Sequence, residues 1–161
     1  MIKKKQRLMF VSVLSCILVI AGVYGIFHMG ENNTPPLMED DAVDWAGEED
    51  ENTDSTGENI AVPGTDVMYW KADQKKQSVN LYNPEKNSCY FKISLLLEDG
   101  TPLYQSDLIA PGKGMYEIEL SKALPEGIYD NSILKYECFD MDENFTPLNG
   151  AEFALTIQST P

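Results

Sequence analysis

Cys89 and Cys138 are the residues of this sequence whose chemistry is easiest to assign. Both stand in the inward phase of alternating apolar runs. If these runs pair as antiparallel strands with Cys89 opposite Cys138 and Phe91 opposite Tyr136, the thiols lie close enough to form a disulfide bond. Two buried free thiols, packed as small apolar side chains, explain the same pattern. No base accompanies either cysteine, so nucleophilic catalysis is not expected.

An acidic run at residues 140–144 is the best candidate for a metal site, because alternate oxygen ligands in a loop can hold calcium. However, Phe145 stands where an EF-hand loop needs a glycine, and Ala151 stands where it needs a bidentate glutamate. His28 is the only histidine, and no paired Cys or His spacing occurs. We therefore predict solvated turn residues here, with no metal, no cofactor and no catalytic residues.

Four apolar residues are predicted to point away from the core on the two cysteine-bearing strands: Tyr90, Leu96, Ile133 and Phe139. An exposed apolar cluster on a sheet face is typical of a contact patch for a protein or a glycan. Coverage by a loop or by a linker is the competing interpretation. Trp45, which stands among acidic residues, is a second candidate, as a short partner-binding motif.

Residues 8–27 form a run of twenty residues without a formal charge, preceded by the basic tail of residues 1–7. As a helix this run spans about 30 Å, the hydrocarbon thickness of a bilayer. The basic flank predicts a cytoplasmic N-terminus and an extracytoplasmic C-terminal domain. We predict a single-pass signal anchor of the cell membrane. A cleavable signal peptide and a lipoprotein signal around Cys16 are the alternatives.

The chain after Gly30 is strongly acidic, with 26 acids against eight lysines. This charge argues against nucleic-acid binding and favours cationic partners. Residues 28–59 combine many acids with few large apolar residues and no sustained period. Such a segment cannot recover the entropy lost on ordering, so we predict a disordered acidic linker that acts as a stalk.

Residues 60–161 change to short alternating runs separated by turn residues, and Asp99-Gly100 between two of them predicts a hairpin. About seven strands are predicted, near residues 66–70, 77–83, 89–97, 103–108, 116–120, 134–138 and 153–157. The pattern indicates an all-β fold, a single Ig-like β-sandwich. Tyr129, two residues after Gly127, is predicted either to begin a tyrosine corner or to be an ordinary core tyrosine.

Several stretches of this domain resemble a group of small membrane-anchored surface proteins of clostridial Gram-positive bacteria. They are residues 83–91, 103–106, 109–112, 124–129 and 148–151. The resemblance covers most of residues 60–158. It implies an Ig-like extracytoplasmic domain, but it implies no activity and no functional residues.

Three functions are compatible with these patterns. The first is a non-enzymatic membrane-anchored module that binds or scaffolds an envelope protein or polysaccharide. The second is an accessory subunit of a membrane protein complex, recruited through its helix. The third, an envelope enzyme, is disfavoured because no catalytic motif is present.

Overall fold

The computed structural model describes residues 36–47 and 60–161. The predicted membrane span at residues 8–27 therefore lies outside the described residues. Residues 48–59 of the predicted linker lie outside them as well. The described part of the chain is all-β, without a helix. It accordingly contains no helix long and apolar enough to cross a membrane.

The described ranges form eight strands in two sheets. The strands are β1 (Val43–Asp44), β2 (Val67–Lys71), β3 (Lys76–Tyr82), β4 (Cys89–Leu96), β5 (Pro102–Gln105), β6 (Lys113–Glu119), β7 (Gly127–Asp140) and β8 (Pro147–Thr160). The smaller sheet has the order β1-β6-β3 and is antiparallel. The larger sheet has the order β2-β8-β7-β4-β5, in which β2 runs parallel to β8 and the other pairs are antiparallel. Two sheets of this kind are consistent with a β-sandwich.

The core draws apolar side chains from both sheets, because each strand alternates between inward and outward positions. On β4, Cys89, Phe91, Ile93 and Leu95 are completely buried. Leu81 of β3 belongs to the same buried cluster, as do residues of β6, β7 and β8. The predicted alternation is thus confirmed in the strands that build the larger sheet.

The predicted hairpin at Asp99-Gly100 is confirmed, since β4 and β5 pair antiparallel. Gly100 has a φ of 80°, a conformation that is costly for residues with a Cβ. The Asp99 carboxylate accepts a hydrogen bond from the backbone N–H of Thr101 at 2.8 Å. Leu97 N–H donates to the carbonyl of Thr101 at 2.9 Å and closes the turn.

The prediction that all of residues 28–59 are disordered is wrong for residues 36–47, which we call the strap. The strap supplies β1 and forms part of a compact unit that runs from Pro36 to Pro161. Backbone hydrogen bonds, the ring of Trp45 and the carboxylate of Glu39, which accepts from Asp107 N–H at 2.7 Å, hold it, and none of these requires a periodic apolar pattern. The domain therefore begins before residue 60, which was the boundary predicted from the sequence.

Candidate functional site

Cys89 and Cys138 lie on neighbouring antiparallel strands, as predicted, but the register differs from the predicted one by two residues. Cys138 faces Phe91, Cys89 faces Asp140, and Ile93 faces Tyr136. A shift of two residues leaves every side chain on its original face, so the alternation pattern cannot distinguish the two registers. The cysteines are therefore diagonal neighbours rather than direct partners.

Both thiols are buried and free in the structure, with exposed fractions of 0% and 1%. They lie close enough to share a hydrogen bond. This bond and burial raise the pKa of the Cys89 thiol, whereas the same bond lowers the pKa of Cys138 against the opposing effect of burial. The disulfide between them stays a prediction.

Tyr129 fixes the connection between the two sheets. Its hydroxyl donates a hydrogen bond to the carbonyl of Pro125 at 3.0 Å. The bond spans four residues of the segment that leads from β6 in the smaller sheet to β7 in the larger sheet. A tyrosine corner requires a phenol–backbone bond of this kind.

The four predicted patch residues form two separate pairs on the outer face of the larger sheet. Tyr90 lies opposite Phe139, and Leu96 lies opposite Ile133. The pairs are about 20 Å apart along β4, given six residues of strand rise. All four side chains are partly buried. Phe145, from the loop between β7 and β8, packs against Tyr90 with ring centroids 5.8 Å apart. The first pair is thus partly covered by that loop, which was the competing interpretation.

The second pair belongs to an apolar row that crosses four adjacent strands. Pro102 of β5 lies opposite Leu96, and Ala154 of β8 lies opposite Ile133. We call Pro102, Leu96, Ile133 and Ala154 the apolar row. Sequence reasoning missed its two outer members, because their alignment depends on pairings that no local pattern specifies. At the usual strand spacing the row is about 14 Å wide.

Polar side chains border the apolar row on one side. The adjacent rung of the ladder consists of Gln105, Ser94, Lys135 and Glu152. Gln105 Nε2 donates to Ser94 Oγ at 3.2 Å, and Lys135 Nζ lies 3.7 Å from a carboxylate oxygen of Glu137.

Hydrogen-bonded side chains border the row on the other side as well. Asn131 donates to Glu98 at 3.0 Å, and Thr156 donates to Asp130 at 2.9 Å. The same face continues past them to Tyr69 and Ile128, which are 72% and 68% exposed. An apolar centre with a polar rim is the composition typical of a protein-binding surface.

The acidic run at residues 140–144 forms a self-contained turn. One carboxylate oxygen of Asp142 accepts hydrogen bonds from the N–H groups of Asn144 and Thr146, at 3.1 and 2.9 Å. The other accepts the Thr146 hydroxyl at 2.6 Å. These bonds hold the pKa of Asp142 below its usual value. Within the described ranges, no three His, Cys, Asp or Glu side chains are grouped to hold a metal.

An acidic hollow of about 340 Å³ lies between the strap and β6. Glu39, Asp41 and Asp107 line it, and burial together with these three carboxylates raises the pKa of Tyr104. Lys76 at its rim pairs with Glu117 at 3.1 Å. The hollow therefore concentrates part of the negative charge that the sequence predicted to favour cationic partners.

Comparison with known proteins gives no further information about these sites. The chain matches no protein-family model, no curated protein and no solved structure. The candidate sites therefore rest on the residues of this chain and on their arrangement.

Proposed function

We propose that this chain is a membrane-anchored, extracytoplasmic module that binds a protein of the cell envelope through the apolar row. The observation that carries the proposal is the alignment of Pro102, Leu96, Ile133 and Ala154 across four adjacent strands, with polar side chains on both sides. The uncharged run at residues 8–27 and its basic flank support the anchor and its orientation.

The composition of the face favours a protein over a polysaccharide as the partner. The apolar row offers aliphatic side chains and no hydrogen-bonding group with which to orient sugar hydroxyls. A stable interface needs about 800 Å² from each partner, more than one row supplies. Tyr69 and Ile128, on the same face and more than two-thirds exposed, extend the apolar surface toward that size.

The proposal also includes an Ig-like topology and a binding role without catalysis. The two-sheet all-β fold and the bond from Tyr129 to Pro125 support the first. The apolar, shallow character of the row supports the second, since a binding face needs complementarity rather than titratable groups. The resemblance of residues 83–91 and of the other stretches to clostridial surface proteins is part of the same proposal.

Site-specific photo-crosslinking in the native host tests this function. A photoreactive residue at Ala154 of the full-length chain is expected to give one discrete protein adduct. The same residue at Glu117, an exposed position on β6, is the matched control and should not give that adduct. Ile133→Lys should abolish the Ala154 adduct while leaving the thermal midpoint close to wild type.

Each alternative has its own result in this experiment. An adduct that resists protease but is degraded by glycan hydrolases would assign the face to a polysaccharide. Identical adducts at both positions, or none at Ala154, would reject the apolar row as the binding surface. Protease digestion of intact cells tests the address separately, because residues 60–161 should be cleaved only if they are extracytoplasmic.

A further inference from the structure

β2 is an edge strand of the larger sheet, and its outer side presents backbone groups that the sheet does not use. Ala72 N–H donates to the carbonyl of Thr160 on β8 at 2.7 Å. Alternate residues of a strand direct their N–H and C=O groups to opposite sides, so Tyr69 and Lys71 direct theirs away from β8. Within the described part of the chain, no group bonds to the backbone of Tyr69.

At Lys71 a side-chain amide acts as the partner of the β2 edge. Lys71 N–H donates to Gln77 Oε1 at 2.9 Å, and Gln77 Nε2 donates to the carbonyl of Lys71 at 2.8 Å. The amide groups of a neighbouring strand would make the same two bonds. Gln77 belongs to β3 and is 3% exposed, so it joins the two strands at this point. Tyr69, two residues earlier, presents the same pair of backbone groups on the same side of β2.

A cleft of about 360 Å³ lies beside Tyr69, between β2 and β3. β3 has a bulge between Ser78 and Leu81, and a bulge bends the strand that carries it. Met68, Leu81 and Leu134 form the apolar part of the cleft, and every residue that lines it is uncharged. A charged group would lose its hydration here without gaining a partner, so the cleft favours a neutral ligand.

The side chain of Tyr136 lines the cleft, and among the described residues no group bonds to its hydroxyl. The side chain is only 1% exposed, and its ring packs edge-on against Phe91 and Phe153, with centroids 5.3 and 6.2 Å away. Burial raises the pKa of Tyr136, so the hydroxyl stays protonated and able to donate. A buried hydroxyl without a partner costs stability, which a ligand that bonds to it would restore.

We propose that the cleft between β2 and β3 binds an extended peptide whose backbone pairs with Tyr69 and one of whose side chains bonds to the hydroxyl of Tyr136. Bonds to an open strand edge supply the affinity in this mode of recognition, and a pocket for a side chain supplies the specificity. The residue next to the one that pairs with Tyr69 directs its side chain between the sheets, on the side of Met68.

The lining of the cleft selects the side chain. An apolar stem with a neutral polar tip suits it, and glutamine has both. Residues 48–59 of this chain are a poor occupant, because half of them are acidic. The inference is independent of the apolar row, which lies on the outer face of the larger sheet.

Peptide binding to the full-length chain in detergent tests the inference. The probe is the fluorescently labelled peptide Thr-Val-Thr-Gln-Thr-Val-Thr, and fluorescence anisotropy measures its affinity. Tyr136→Phe removes only the hydroxyl and should weaken binding about tenfold, the value of one buried hydrogen bond. The thermal midpoint should stay the same or rise, since no bond within the protein is lost. Tyr104→Phe removes a phenol hydroxyl outside the cleft and should bind as tightly as wild type.

A second pair of variants tests the backbone contact. Tyr69→Pro removes the N–H that faces the cleft but leaves the bonds between β2 and β8, because an edge strand tolerates proline where its N–H points outward. It should bind the probe about tenfold more weakly than Tyr69→Ala, which removes only the side chain. Replacing the glutamine of the probe with glutamate should also weaken binding to the wild-type protein about tenfold, because the cleft offers no cation.

Each contrary result removes a defined part of the inference. Equal affinities of Tyr136→Phe and wild type would overturn the side-chain site, and equal affinities of Tyr69→Pro and Tyr69→Ala would overturn the strand pairing. No binding of the glutamine probe to the wild-type protein would reject the cleft as a peptide site. Binding of chitotriose that is lost in Tyr136→Phe but kept in Tyr69→Pro would assign the cleft to a glycan instead. None of these results bears on the crosslink at Ala154, which tests the apolar row.

Discussion

The ring of Trp45 lies parallel to the ring of Tyr82, with centroids 3.7 Å apart and planes 8° from each other. This stack joins the strap to β3, across the β6 edge that the strap backbone completes. Because Leu37, Met38 and Val43 of the strap are exposed and only Ala42 among its aliphatic residues packs against the core, the indole is the largest side chain that the strap packs against the domain.

Replacing Trp45 should therefore loosen the strap without unfolding the core. Trp45→Ala is expected to lower the free energy of unfolding by about 1–3 kcal/mol, since an aromatic pair and one hydrogen bond are lost. Trp45→Phe keeps a ring on Tyr82 and should lose roughly half as much. Denaturant unfolding gives the energy, and amide exchange of residues 38–46 reports the loosening. Unchanged exchange in Trp45→Ala would contradict the role of the stack.

Asn83 is expected to be the most sensitive polar residue of the described domain. Its completely buried amide donates to the carbonyls of Cys89 and Ile109, at 2.8 and 2.9 Å, and accepts from Asn87 at 2.9 Å. Asn83→Ala leaves buried partners unsatisfied and should cost about 2–4 kcal/mol. Exposed Asn144→Ala is the control and should stay within about 0.5 kcal/mol. Equal effects of both variants on the denaturation midpoint would refute this role.

The turn around Asp142 predicts a loss of stability in acid. Its folded-state pKa is lower than the ordinary value because Thr146 and Asn144 donate hydrogen bonds to the carboxylate. The stabilisation is therefore complete above the unfolded pKa of about 3.9 and is lost as pH falls through the lower folded value. Asp142→Asn should flatten the fall in denaturation midpoint below pH 4, while Glu143→Gln controls for net charge. A slope in Asp142→Asn as steep as in wild type would exclude this group.

The buried thiols should respond to oxidation only during folding. In the folded reduced protein, Cys89 and Cys138 are expected to resist a thiol-labelling reagent, because both are inaccessible. Refolding with a glutathione redox pair should link them if the disulfide prediction is right. The bridge closes a loop of about 50 residues and should add about 4 kcal/mol in the chain-entropy model. Persistent labelling of both thiols after denaturation of the refolded protein would show that the bridge does not form.

Local patterns predicted the strands of the larger sheet and the turn at Gly100, because alternation and turn residues act over a few positions. The register of Cys89 with Cys138 was missed by two residues, since β4 and β7 are far apart in sequence and only core packing aligns them. The strap was missed for a different reason. Its two-residue strand and its tryptophan depend on contacts with Asn80, Tyr82 and Gly114, which no pattern near Trp45 reveals.

Trp70 shows a further limit of sequence reasoning. Its indole is 3% exposed, and Nε1–H has no hydrogen-bond partner among the described residues. A buried unpaired donor costs about 1–3 kcal/mol, so a sequence designed for stability alone would avoid it. Its position on β2, a strand that pairs parallel to β8, follows from a long-range crossover that alternation does not encode.

The strap also determines how the molecule responds to tension. A pull on the chain from the N-terminal side of Pro36 loads the strap first, before any strand of the larger sheet. Its few backbone hydrogen bonds would break one at a time rather than together in shear. Residues 36–47 would then extend to about 40 Å while the core stayed folded. The strap, which was predicted to be part of a passive stalk, would detach from the domain at low force and would bind again when the load is removed.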